Sequence, residues 1–276
     1  MNYKIALSIF AVSIILVASV FVLAQPLERV VAETKAGNIV FVPAYAVKLA
    51  PGIFSLGSNT DIDGTVVEGF MFIDDRKANS HKPSHNPGEK GDKSGRDSST
   101  CYSLFAKGAK WKTTEPYITS NEAGNEINLA LTETSLNTWD SEVSFNIFGT
   151  GVSGVTDGAD DVAPDGKNEV MFEDLGTTNT IAYTIVWGVF GGPPQGRKLV
   201  EWDAVFNSDY DWSETGEANK MDYQNIATHE FGHALGLGHP DSTCTEETMY
   251  AFASFGETKK QTLEAGDITG VNKLYS

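Results

Sequence analysis

Residues 229–239 read His229-Glu230-Phe231-Gly232-His233-Ala234-Leu235-Gly236-Leu237-Gly238-His239. His229 and His233 are four apart, so on a helix both imidazoles share one face, one turn apart, close enough to bind one ion. Neutral imidazole suits zinc. Glu230 is offset around the helix, where it misses the metal and reaches a water beside it. Gly236 tolerates a positive φ, so the chain can reverse there and bring His239 back as a third ligand. Three protein ligands leave one position open, which is the pattern of a catalytic rather than a structural zinc. The chemistry expected is peptide hydrolysis. Zinc acidifies water and polarises the carbonyl, and Glu230 takes the water proton as general base. Only five histidines occur in the chain and three fall within these eleven residues, which makes coincidence a poor explanation. Thr248-Met249-Tyr250 follows, and a thioether there can serve as a polarisable apolar floor to the site.

Working outward, Asp222 is a good N-cap for a helix running to about Leu235. Leu263 to Tyr275, with Ile268, Val271 and Leu274 on one face, reads as a closing helix. Upstream, Glu126 to Asp140 has helical spacing. Lys110–Thr119, Glu142–Phe148, Asn168–Phe172, Ile181–Phe190 and Leu199–Phe206 read as strands, and 149–167 as a Gly/Asp loop. Strands mixed with a few helices give an α+β domain.

Composition sets limits on function. The chain has 276 residues and a formal net charge of -17, which excludes nucleic acid as a partner, because phosphate binding needs a basic face. The acid is concentrated: residues 140–220 hold fifteen acids against four bases. Asp157, Asp160, Asp161 and Asp165 cluster in the Gly-rich loop, and hard oxygen ligands of this kind suit calcium.

Three segments are expected. Residues 1–24 form a signal: Lys4 is the only charge before Glu28, and an apolar run spans Ile5–Ala24. Cleavage after Ala24 and retention as a signal anchor both stay open, and both place the remainder outside the cytoplasm. A membrane partner follows only from retention. Residues 25–100 carry short β-branched runs, Ile39–Val42 and Val66–Ile73, and end in a polar stretch, 77–100, that reads as a flexible linker. His81 and His85 lie in that stretch and read as solvated. Residues 101–276 form the globular part, read as a monomer. Cys101 and Cys244 are the two cysteines, and an even count in an oxidising compartment favours a disulfide.

H-E-x-x-H-x-x-G-x-x-H followed by a Met-turn is the signature of the metzincin peptidases, and the residues above match it at every position. Within that clan the chain resembles a matrixin over roughly 108–276, in Lys110-Trp111-Lys112, in Met249-Tyr250 and in the closing stretch Leu263 to Tyr275. The resemblance implies a twisted, mixed five-stranded sheet with an antiparallel edge strand, an active-site helix and a C-terminal helix. It implies that the strand Ile181–Trp187 is the edge to which a protein or peptide substrate adds. It makes Phe252 and Phe255 candidates to line the specificity pocket, and Asn207 and Asp209 a second calcium position. The globular part has no spare histidine, so a second, histidine-bound zinc is not expected. Cys101 sits just before the catalytic start, where a matrixin pro-segment can block the zinc with a cysteine. A Cys101–Cys244 disulfide is the preferred alternative. Three functions remain: an active secreted endopeptidase, a latent form with 25–100 covering the cleft, and a non-enzymatic zinc-stabilised surface module. The intact base at Glu230 favours the first.

Overall fold

The computed structural model describes residues 29–33, 39–77, 98–105, 108–176 and 178–276. The signal segment, most of the polar linker, His81 and His85 lie outside the described residues.

The strands in chain order are β1 (Arg29–Glu33), β2 (Ile39–Pro43), β3 (Val47–Ala50), β4 (Ile53–Thr60), β5 (Val66–Arg76), β6 (Ser103–Leu104), β7 (Glu115–Ser120), β8 (Phe148–Gly154), β9 (Glu169–Glu173), β10 (Thr180–Val189), β11 (Lys198–Asn207), β12 (Trp212–Ser213), β13 (Met221–Asp222), β14 (Leu237–Gly238) and β15 (Phe252–Ala253). The helices are α1 (Leu129–Asp140), α2 (Tyr223–Ala234) and α3 (Ala265–Tyr275). The expected five-stranded mixed sheet is β8-β7-β9-β11-β10. Its inner pairings are parallel, and β10 runs antiparallel to β11 as the edge. That edge is covered. β5 pairs antiparallel with β10, β4 and β3 continue outward, and β15 pairs with β5, giving a nine-stranded sheet.

β10 explains its own central place. Thr180 to Gly188 is buried throughout, and a strand buried on both faces reads as a continuous apolar run rather than an alternation. One face packs on α1, α2 and α3 through Trp139, Val186, Trp202, Phe206, Phe231 and Leu274. The other carries a second core of Phe54, Met71, Ile73, Tyr183, Ile185, Trp187 and Val205. Residues of β4 and β5 thus complete a core with β10 and β11.

Two expectations change. Glu142–Phe148 is not a strand: Ser141 to Ile147 form turns and an irregular run, and β8 begins at Phe148. Asp140 is the cause, because its carboxylate accepts the Ile147 and Phe148 N–H groups and folds the segment back on the end of α1. Part of the expected loop 149–167 is therefore strand.

Candidate metal centre and active site

α2 starts at Asp222, whose carboxylate accepts the Asn225 N–H. It presents His229, Glu230 and His233, all buried. Gly236, at φ 102°, reverses the chain after the helix. β14 then pairs with β6, which holds the approach to His239. The three Nε2 atoms converge: His239 lies 3.3 Å from His229 and 3.1 Å from His233.

The outer nitrogens set the tautomers. His229 Nδ1 lies 2.5 Å from the Thr248 carbonyl and His233 Nδ1 lies 2.8 Å from that of Leu237. Each Nδ1–H donates to its carbonyl, so each Nε2 turns a lone pair inward. Buried Lys260 donates to the Tyr250 carbonyl and lies 3.2 Å from His229 Nδ1, tying the ligand to the Met-turn.

A fourth side chain faces this centre, and it comes from β5. Asp74 Oδ1 lies 3.1 Å from His229 Nε2 and 2.8 Å from His239 Nε2, and Oδ2 lies 3.3 Å from His233 Nε2. Asp74 is 5% exposed, and neither oxygen has a hydrogen-bond donor. Inward lone pairs at such separations repel unless a cation sits among them. Tetrahedral zinc with arms of about 2.0–2.1 Å puts its ligand atoms about 3.3 Å apart, so the four residues fit zinc. Charge points the same way. Burial holds His229 down at about 3 and holds His233 low, so both stay neutral near pH 7. Burial also pushes the Asp74 carboxyl up, but its interactions with the His229 and His239 rings outweigh that and keep the group well below the usual carboxylate range. Neutral imidazoles beside an ionised carboxylate are a donor set that zinc takes.

Glu230 is fully buried. Its Oε2 accepts the Thr184 hydroxyl of β10 at 2.6 Å, and its Oε1 has no donor. Burial, and then the neighbouring Asp74 charge, push its carboxyl well above the ordinary value. Met249 fits below: a Cβ on Gly232 would collide with its thioether and with Trp139. Asp267 of α3 fixes this turn by accepting the Thr248 and Met249 N–H groups at 2.7 and 3.1 Å. Cys101 and Cys244 form a disulfide, S–S 2.05 Å. Cys101 is therefore not poised over the metal centre.

The acidic loop is rearranged relative to expectation. Asp157 and Asp165 both hold Lys167. Asp160 instead gathers with Glu201 and Asp203 of β11, their carboxylate oxygens within 4.8 Å. Glu169 adjoins them, and Asp203 accepts the Asp160 and Glu169 N–H groups. Glu169 Oε1 and Glu201 Oε1 are buried without a donor. Burial, then mutual repulsion, raise Asp160 to about 6 and Glu201 to about 10, with Asp203 well above its ordinary value. For Glu169, raised to about 7, burial again leads. Asp161 lends its backbone carbonyl to the Tyr45 hydroxyl. Asn207 is committed to its own loop: its amide donates to Thr180 and Gly176 carbonyls and its Oδ1 accepts from Leu175 and Asp209 N–H. Asp209 lies in a surface recess with Arg76, Tyr210 and Phe255. Phe252 is half-buried in β15 beside β5, while Phe255 carries the Arg76 guanidinium 5.1 Å from its ring.

Sequence reasoning missed Asp74, Glu201, Glu169, Asp203 and Thr184. Asp74 had a signal, since Asp74-Asp75 closes an apolar strand where acids are expensive to bury.

Residues 189–276, from the end of β10 through the histidine motif and the Met-turn to α3, match the family model described as Matrixin. In this stretch the chain is similar to the catalytic domain of the matrixin metallopeptidases. It is 30% identical to matrilysin of Homo sapiens over 181 residues, 63% of this chain and 61% of that protein. It is 38% identical to matrilysin of Rattus norvegicus over 73 residues, 26% of each. To metalloendoproteinase 1 of Glycine max it is 37% identical over 76 residues, 25% of this chain and 24% of that protein. The chain thus spans 61% of the human relative's length and about a quarter of the other two. Among the described residues no helix is long and apolar enough to cross a membrane.

Proposed function

We propose that this chain is a secreted zinc endopeptidase whose catalytic part is residues 101–276, with His229, His233 and His239 holding one zinc and Glu230 acting as general base. The observation that carries it is the convergence of three inward imidazole nitrogens beside a buried carboxylate with one free oxygen. When bound, zinc supplies a Lewis acid that acidifies water and polarises a carbonyl. The chain's own residues do the rest. Once β5 has left the β10 edge, a peptide or protein substrate adds along β10 by backbone pairing, which aligns one of its carbonyls with the centre. Thr184 fixes Glu230 through Oε2, leaving Oε1 to take a proton from the attacking water. The same atom returns that proton to the departing amine nitrogen. Met249 and Asp267 hold the floor, so that the imidazoles keep their geometry.

Asp160, Glu201, Asp203 and Glu169 are read as a calcium position, supported by two buried carboxylate oxygens that lack donors. Export through the apolar run Ile5–Ala24, cleaved or retained, agrees with a disulfide-bearing domain.

Peptide-library cleavage by full-length Glu230→Ala tests the base. Turnover is expected to fall by at least about 10²-fold, while zinc stays at one per chain by metal analysis. Retained turnover in this variant would remove Glu230 from its role. Absence of cleavage by the wild type under every releasing condition would remove the peptidase reading.

A further inference from the structure

We propose that β5 is a built-in inhibitor: it lies in the active-site cleft in the manner of a substrate, with Asp74 as fourth ligand to the zinc. The inference rests on the peptidase reading above and names how that site is regulated.

The placement comes first. β5 runs antiparallel to β10 and parallel to β15, so it fills the slot between the edge strand and the segment after the Met-turn. Register sets Asp74 opposite Ala182, Phe72 opposite Thr184 and Asp75 opposite Phe252. A substrate that adds to β10 needs this same edge, and backbone groups of β10 cannot pair with both. Asp74 and Phe72, two residues apart, point to the same face. Phe72 stacks on the His233 ring, centroids 4.5 Å apart. Asp74 meets all three imidazoles.

The fit is specific along the strand. Gly69 lies against Trp187, where any Cβ would come within 2.8 Å of the indole. Phe70 packs edge-on to Phe190 at 4.9 Å. Beyond Asp74 the strand is held by Thr180 Oγ1, which donates to Asp75 at 3.3 Å, and by Arg76, which donates to Asn179 Oδ1 at 2.9 Å. Anchors therefore lie on both sides of Asp74, and its carboxylate cannot drift from the metal centre without unzipping the strand.

The arrangement also explains why the strand is not itself cut. Hydrolysis needs a water between the metal and Glu230. The Asp74 carboxylate occupies the fourth position, so β5 is bound as a substrate is bound but meets no nucleophile. A carboxylate serves here in the place that Cys101 could have taken had it been free.

The test uses the cobalt-loaded full-length chain, with acetohydroxamate as a small metal-binding probe. Wild type is expected to exclude the probe, with its visible cobalt spectrum unchanged at millimolar concentration. Asp74→Ala is expected to bind it and to show altered cobalt bands even before the probe is added. Asp74→Asn is the shape-preserving second variant and is expected to weaken exclusion at least tenfold. Peptide cleavage is expected to rise at least tenfold in either variant. Equal probe binding and equal cleavage in wild type and variants would overturn the inhibitor and leave the peptidase reading intact. Probe binding restored without any cleavage, even after the chain is cut between residues 78 and 97 and the β5 fragment is removed, would uphold the ligand assignment and overturn the peptidase reading. Should neither variant retain metal, the wild type decides alone: stoichiometric probe uptake overturns the proposal and exclusion upholds it.

Discussion

Two groups of buried carboxylates lie on opposite faces of one sheet. Asp74 projects from β5 toward α2, where three imidazoles meet it. Glu201 and Asp203 project from β11 away from the helices, on the side of Val205 and the second core, and meet Asp160 and Glu169. The first group has neutral partners arranged around a space that suits zinc. The second has other acids and the backbone N–H groups of Asp157, Asp160, Gly166 and Glu169. Burial alone costs both groups heavily, so the difference lies in what compensates it. On one face the chain supplies nitrogen ligands; on the other it leaves the compensation to protons or to a hard cation.

Removing a partner on the helix side should have the largest effect. His233→Ala takes away one ligand and leaves Asp74 facing an incomplete centre. Zinc content should fall from one per chain to near zero after dialysis. Loss of one partner of a buried ionic set costs about 3–5 kcal/mol, read as a drop in thermal midpoint of the zinc-replete protein. An unchanged midpoint would mean that Asp74 is compensated some other way.

The outer face should respond to calcium, and in a pH-dependent way. Asp160 and Glu169 have folded values raised to about 6 and about 7. Raised acids favour the fold at low pH, and that contribution is lost as pH climbs from about 4 to about 7. Calcium should restore it by replacing the protons. Saturation a hundredfold above the dissociation constant corresponds to about 2.7 kcal/mol. The midpoint gain on adding calcium alone to zinc-replete protein should be clear at pH 7.5 and small at pH 4.5. Glu201→Gln should abolish most of it. A gain that is the same at both pH values, or that survives Glu201→Gln, would sink the calcium position.

The smallest effect belongs to Thr184→Val, which removes the hydroxyl on Glu230 without touching a ligand. One hydrogen bond to a charged group is worth about 1.5–3 kcal/mol. In the Asp74→Ala background, kcat should fall about tenfold with KM little changed. A matching fall in zinc content in the double variant, beyond that of Asp74→Ala alone, would instead mark Thr184 as structural.

The convergence of the three helix-side imidazoles was legible because they come from one local pattern: a fixed spacing, a glycine and a turn. The N-cap at Asp222 and the ends of α2 followed from the same local rules. Glu201 and Asp203 were invisible as partners of Asp160, since the loop reaches β11 only through tertiary packing. Acid density pointed to the right region but to the wrong neighbours: Asp157 and Asp165 are near in sequence and are claimed by Lys167. Four strands of the five-stranded sheet, β7, β9, β10 and β11, could be expected one by one, while β8 fell in the segment read as a Gly/Asp loop. The sheet's extension by β3, β4 and β5 could not be expected, because pairing across more than a hundred residues leaves no trace in periodicity. The Glu142–Phe148 alternation misled because Asp140 bonds the backbone that a strand would have needed.

The disulfide has a consequence for how the cleft could be emptied. Both of its cysteines lie C-terminal to the linker, and the bridge fastens Cys101 to the segment before the Met-turn. One cut between residues 78 and 97 would therefore leave no covalent tie between β5 and the metal centre. Before the cut, rebinding of the strand is governed by an effective concentration set by the tether; afterwards it is governed by the bulk concentration of the fragment. A single broken bond thus converts a local equilibrium into a dilution.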